Sequence, residues 1–124
     1  MPPRRRILYT EDDADTRELI RFVFTRRGYE IVCAESGAEA LELARVEPCD
    51  LFLVDNWMPE LTGIELTRHI RAFNQIIPIL FYSGAANDQD KQAALNAGAQ
   101  GYLTKPAAID DLIAEAERLM KHSI

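Results

Sequence analysis

The sequence predicts a single α/β domain built on an open, doubly wound parallel sheet. Three observations lead there. Apolar β-type runs alternate with amphipathic stretches along the whole chain. The run "DLFLVD" (50–55) is apolar on both faces, as a central strand covered by helices on each side must be. At 124 residues the chain can bury one core without disulfides or a structural metal, yet it has too few strand–helix units to close a barrel.

Each element has its own signal. "RILYT" (6–10) reads as the first strand. "DTRELIRFVFTRRG" (15–28) places Leu19, Ile20, Phe22, Val23 and Phe24 at helical intervals and closes at Gly28, where a C-cap belongs. "YEIVCAE" (29–35) is the second strand. "SGAEALELARVE" (36–47) opens with Ser36 and has Glu39 three residues on, the spacing of a capping box. The third strand follows at 50–55. "TGIELTRHIRAFN" (62–74) is a helix whose inner side would be Ile64, Leu66, His69, Ile70 and Phe73. "IPILFYS" (77–83) is the fourth strand and "DQDKQAALNAG" (88–98) an Ala-rich helix closed by Gly98. "GYLT" (101–104) and "IDDLIAEAERLMKH" (109–122) complete the alternation. With no internal repeat or linker, such a pattern means parallel strands joined by right-handed helical crossovers. The pattern alone leaves the strand order open.

Composition narrows the function classes. Hydrophobic residues at 48% and charged residues at 27% match a globular domain. No apolar run reaches the roughly 18 residues of a membrane span, and "MPPRRR" lacks the apolar region of a secretory signal. A cytoplasmic location is expected. A net charge of −6 argues against nucleic-acid binding, because only Arg4 to Arg6 and Arg26-Arg27 cluster. Cys33 and Cys49 lack metal or redox spacing and read as small apolar residues in a reducing compartment. His69 and His122 are isolated, so no zinc site is expected.

In open parallel sheets, ligands bind beyond the carboxyl ends of the strands. Thr10-Glu11-Asp12-Asp13 follows the first strand, Asp55 ends the third, Ser83-Gly84-Ala85 follows the fourth and Lys105-Pro106 the fifth. Glu35-Ser36-Gly37, after the second, looks like turn and capping chemistry. Taken singly, each of these has a structural explanation; Asp12 or Asp13 could simply cap a helix. Four chemically active strand ends in one chain are harder to dismiss. Glu11, Asp12 and Asp55 would repel one another at neutral pH, and Lys105 offsets only one charge. An oxygen-only set without Cys or His favours Mg²⁺ over zinc or copper. A carboxylate beside Mg²⁺ and a lysine is poised to attack phosphorus, and Asp55, at a buried strand end, is the best placed nucleophile.

Jointly, "ILYTEDDAD" (7–15), "LFLVDNWMPELTG" (51–63), "FYSGA" (81–85) and "GYLTKP" (101–106) resemble the receiver domain of bacterial two-component response regulators. The resemblance extends over essentially the whole chain. It implies a flavodoxin-like sheet of order 2-1-3-4-5, which sets Asp12 beside Asp55. It further implies that Asp55 is the phosphoacceptor, that Asp12 contacts Mg²⁺ directly and that Glu11 does so through water. The backbone carbonyl of Trp57 would be the remaining ligand. Lys105 would pair with phosphoryl oxygens, ahead of a cis peptide bond to Pro106. Ser83 would be the switch hydroxyl and Tyr102 the aromatic that follows it, while Asp13 would cap the first helix. Trp57 is large for its position, and Gly84 stands where Ala is commoner.

The activity so implied is a phosphorylation switch, not turnover of a metabolite. A histidine kinase or histidine phosphotransfer protein would donate the phosphoryl group. The face formed by the fourth helix, fifth strand and fifth helix would then bind a downstream protein. Residues 1–124 would form one receiver without an output domain, as a monomer or weak dimer with no direct contact to nucleic acid or membrane. Met1 and the stop at Ile124 favour a stand-alone regulator over a receiver cut from a DNA-binding regulator or hybrid kinase. A flavodoxin-like cofactor binder would need a Ser/Thr/Gly-rich phosphate loop where "EDDAD" stands. A phosphohydrolase with an aspartate nucleophile would carry it on the first strand in a DxD spacing. Neither pattern is present.

Overall fold

A computed structural model describes residues 5–84 and 87–122, with the side chain of His122 left out. Arg4 and Ala85 lie outside the described residues. The element order is β1 (Arg6–Thr10), α1 (Ala14–Arg26), β2 (Glu30–Ala34), α2 (Gly37–Val46), β3 (Leu51–Val54), α3 (Gly63–Phe73), β4 (Ile79–Ser83), α4 (Asp88–Ala97), β5 (Gly101–Thr104) and α5 (Ile109–His122). All neighbouring strands pair in parallel, in the order β2-β1-β3-β4-β5. The predicted fold class and order are therefore observed, and predicted boundaries shift by one or two residues.

Alternation along the strands sorts the core into two halves. Ile7, Tyr9, Leu51, Leu53, Leu80 and Tyr82 pack beneath α1 and α5. Leu8, Phe52, Val54, Ile79 and Phe81 point the other way, against Ala40 of α2, Leu66 and Ile70 of α3 and Ala94 of α4. β3 is buried at every position, whereas β5, on the sheet's edge, is only half-buried. The chain passes from β1 outward to β2, then crosses back over β1 to reach β3. That reversal opens a crevice at the carboxyl ends of β1 and β3.

Three details depart from expectation. Leu19 and Phe22 of α1 are exposed, so Ile20 and Phe24 alone bury fully; the Arg26 guanidinium lies over the Phe22 ring at 5.5 Å. His69 and Phe73 are exposed as well, and Thr67 takes an inner position on α3 through a bond from its hydroxyl to the Gly63 carbonyl. At α2, Ser36 accepts from the Glu39 N–H, but the Glu39 carboxylate reaches the N–H of Glu35 rather than that of Ser36. The reciprocal capping box closes instead at α3, between Thr62 and Glu65.

Several basic residues of the predicted clusters are engaged within the fold. Arg5 donates to the Met120 carbonyl, Arg6 pairs with Glu30 and Glu47, and Arg27 pairs with Glu117. No described helix is long and apolar enough to cross a membrane.

Candidate functional site

At the end of β1 the chain must leave the sheet and enter α1 within a few residues, and the three acids divide that task. Asp13 caps α1, its Oδ2 accepting from the Thr16 N–H at 2.8 Å and the Thr16 hydroxyl at 2.6 Å. These bonds hold its carboxyl below the usual carboxylate range. Asp12 is exposed, while Glu11 is 1% exposed. The Glu11 N–H continues the ladder to the Ala34 carbonyl. Its carbonyl is held by Arg17, which also pairs with Glu35 beyond β2.

Asp55 ends β3 and is 4% exposed. Its N–H donates to the Thr10 carbonyl, tying it to β1. Oδ1 accepts from the Trp57 N–H at 3.1 Å and Oδ2 from Lys105 Nζ at 3.1 Å. The main chain of Trp57 thus lies against the carboxylate, while its indole stands in solvent, 62% exposed. The loop after it is drawn back by bonds to the Asn56 carbonyl from Met58 and Gly63 and to the Asn56 side chain from Ile64. Gly63 is required by space. A Cβ there would meet the Asp55 carbonyl and Val54 Cγ1 at 2.8 Å.

Lys105 arrives from the far edge of the sheet, its N–H bonded to the Ser83 carbonyl and its peptide to Pro106 cis, as the resemblance implied. Nζ bridges two carboxylates, Glu11 Oε1 at 2.5 Å and Asp55 Oδ2 at 3.1 Å, and lies 5.3 Å from the centre of the Tyr82 ring. Burial disfavours its charge, but the bond to Glu11 and the two negative charges overcome that and raise the Lys105 pKa. Burial pushes the Glu11 carboxyl up, with Lys105 opposing and Asp55 reinforcing the shift.

Ser83 is fully buried at the end of β4. Tyr102, half-buried on β5, stacks on Phe81 with ring centres 5.5 Å apart. Burial raises its phenol, and a hydrogen bond with Ser83 opposes the rise. The structure therefore gathers Glu11, Asp12, Asp55 and Lys105 in one crevice and engages Ser83 with Tyr102 at the neighbouring strand end.

One oxygen each from Glu11, Asp12 and Asp55 lies within 4.8 Å of the others. Three carboxyl groups share the crevice with a single ammonium, so the acids outnumber the cation beside them. The set is all oxygen, with two buried members fixed by protein donors and an exposed third facing solvent. That suits Mg²⁺, which takes few carboxylates and keeps several waters.

Sequence reasoning missed two residues here. Arg17 braces the acid loop from behind, and the buried Tyr9 phenol bonds to Glu11 at 3.1 Å. Helical and strand periodicity place both side chains on inner faces, but neither reveals what their polar ends meet.

The chain is similar in sequence and fold to known proteins. The family model described as response regulator receiver domain matches residues 7–117. The chain is similar to response regulator MprA of Mycobacterium leprae (strain TN), with 35% identity over 118 residues, 95% of this chain and 52% of that protein. It thus spans about half the length of the curated relatives it matches. The receiver domain of a Francisella response regulator superposes with a TM-score of 0.89 at 32% identity, covering 94% of this chain and 97% of that one. A receiver domain from a sensor histidine kinase of Pseudomonas aeruginosa PAO1 superposes equally well, at 0.89 and 28% identity, covering 96% and 99%. That structure has a magnesium ion coordinated in its active-site cleft.

Proposed function

The chain belongs to the response regulator receiver domain family, and on that premise we propose that Asp55 is its phosphoacceptor. Receiver domains are the phosphoacceptor modules of two-component signalling and interact with histidine kinases. The chain is a signalling module of this kind and not a conventional enzyme. In the reading proposed here, a phosphohistidine on a kinase or phosphotransfer protein is the donor. An oxygen of Asp55 forms the new bond to phosphorus, the P–N bond breaks, and the histidine nitrogen keeps the electron pair and takes up a proton. The product is an aspartyl phosphate.

Asp12 would hold Mg²⁺ directly and Glu11 through water, with Asp55 and the Trp57 carbonyl completing the protein's share. Bound there, the ion supplies charge neutralisation to the phosphoryl oxygens. Lys105 adds a charge-assisted bond to the same oxygens once it lets go of Glu11. Ser83 turns towards the new phosphoryl group, and Tyr102, bonded to Ser83, follows. The face of α4, β5 and α5 then changes its affinity for a downstream protein. The domain would act in the cytoplasm, as a monomer or weak dimer. Whether it works alone or within a longer regulator, the same switch operates.

The observation carrying this reading is the Asp55 carboxylate: buried, bonded to Lys105, and grouped with the oxygens of Glu11 and Asp12. Acetyl phosphate with Mg²⁺ should add a single phosphoryl group, seen as an intact-mass increase, and Asp55→Asn should abolish it. Incorporation that persists in Asp55→Asn, or none in the wild type, overturns the assignment.

A further inference from the structure

We propose that Tyr9 is a positioning residue for the metal-binding carboxylate of Glu11, holding it in place whatever Lys105 is doing. The inference rests on the reading that Glu11 helps hold Mg²⁺, and it concerns a residue to which the family resemblance assigned no role.

Tyr9 is fully buried in β1 beneath α1 and α5, in a cluster with Ile20, Phe24, Leu112 and Tyr82. A phenol enclosed in this way needs an acceptor, because an unpaired buried hydroxyl is costly. Residues two apart on an extended chain face the same side, which brings the Glu11 side chain alongside. The Tyr9 hydroxyl donates to Glu11 Oε1 at 3.1 Å.

Among the described residues three donors reach the Glu11 carboxylate, and they differ in kind. Lys105 Nζ shares Oε1 with Tyr9 but also binds Asp55 Oδ2. The Asp13 N–H reaches Oε2 at 3.3 Å, a long bond from a loop. Lys105 is the movable member. A phosphoryl group on Asp55 brings fresh negative charge to its other partner, and an ammonium on a flexible stem follows charge. Tyr9 cannot follow anything, since its ring is clamped between sheet and helices. When Lys105 leaves Glu11, the phenol remains the donor on Oε1. The carboxylate then keeps its plane through the phosphorylation cycle instead of swinging free in a buried crevice. Hydrogen bonds of this kind, to a group that holds the metal rather than to the metal, fix its orientation and commonly set affinity by an order of magnitude or more. Glu11 acts through water in the proposed site, so the lower end of that range applies.

Packing alone would not need the hydroxyl, because phenylalanine fills the same space. That difference supplies the test. Trp57 is the only tryptophan, and its backbone N–H donates to Asp55, so its fluorescence should respond in Mg²⁺ titrations. Tyr9→Phe should weaken Mg²⁺ binding roughly ten-fold. In a Glu11→Gln background, the same substitution should change affinity by less than about two-fold, because its effect passes through the carboxylate. If Tyr9→Phe is too unstable to titrate directly, the rise in its urea midpoint on adding Mg²⁺ reads the same affinity. Wild-type affinity in Tyr9→Phe overturns the inference, as does an equal loss in both backgrounds. A wild-type chain that shows no Mg²⁺ response overturns the reading of the metal site, and this inference with it.

Discussion

Thr10 stands at the point where β1 meets the acid loop, and none of the described residues gives its hydroxyl a hydrogen bond. Among the described residues, its Oγ1 is the buried side-chain polar atom without a hydrogen-bond partner. An unsatisfied group of this kind costs roughly 1–3 kcal/mol. Thr10→Val keeps the branched shape and removes the hydroxyl, so it should raise stability by about 1 kcal/mol. Urea unfolding checks this, and a lowered midpoint would mean the hydroxyl has a partner after all. At this scale the sequence was most legible where a charge sits at a strand end. Asp55 and Lys105 announce themselves because a lone ionisable group after an apolar run has little other reason to be there. Tyr9 and Arg17 stayed hidden because a long side chain says nothing about where its polar end lands. That depends on packing between elements, which periodicity does not record.

Elements are held at their ends as much as along their faces. Arg71, in the last turn of α3, is the clearest instance. Its guanidinium donates to the Gly98 carbonyl beyond α4, to the Asn74 carbonyl after its own helix, and to Gln100 Oε1. Gln100 Oε1 in turn accepts from the Ile79 N–H of β4. One side chain thus joins α3, α4 and the approach to β5. Arg71→Met keeps the aliphatic stem but takes the guanidinium donors from the Gly98 and Asn74 carbonyls, and should cost roughly 2–3 kcal/mol. Chemical denaturation of the variant measures it, and a loss under about 0.5 kcal/mol, the ordinary range of a surface change, would refute the role. Helix and strand identities were legible because apolar spacing differs between the two periods. Which residues on a wide apolar face become buried was not. Phe73 is exposed although it continues the inner stripe of α3, and Arg45 of α2 covers its ring at 5.6 Å. Cation–π cover of this sort lets an aromatic sit at the rim.

The molecule as a whole is closed by contacts between distant parts of the chain. Glu117 of α5 accepts from the Tyr29 hydroxyl at 2.7 Å and from Arg27 at 2.9 and 3.1 Å. The Tyr29 bond, then Arg27, pull its carboxyl below the usual glutamate range. A lowered folded-state pKa contributes stability above the unfolded value, near 4.3, and loses it as pH falls through the folded one. Wild type should therefore exceed Glu117→Gln in stability at pH 7, by no more than about 1 kcal/mol because the pair is partly solvated. The gap should shrink as pH falls below the unfolded value and through the folded one, and a gap that does not change over that fall would assign it to something other than charge. The strand order was legible only through family resemblance, since alternation of strands and helices fits several windings of one sheet. Once that order is known, the assembly of the site has a direction in time. Lys105 lies 94 residues after Glu11 and 50 after Asp55, just past the end of β5, an edge strand of the sheet. A chain emerging from the ribosome presents its acids long before the ammonium that joins them. The ammonium reaches the crevice only when that edge strand has docked, so until then the acids stand without the cation that joins them. The site is finished from one edge of the sheet, by the strand that lies farthest along the chain from the acids it completes.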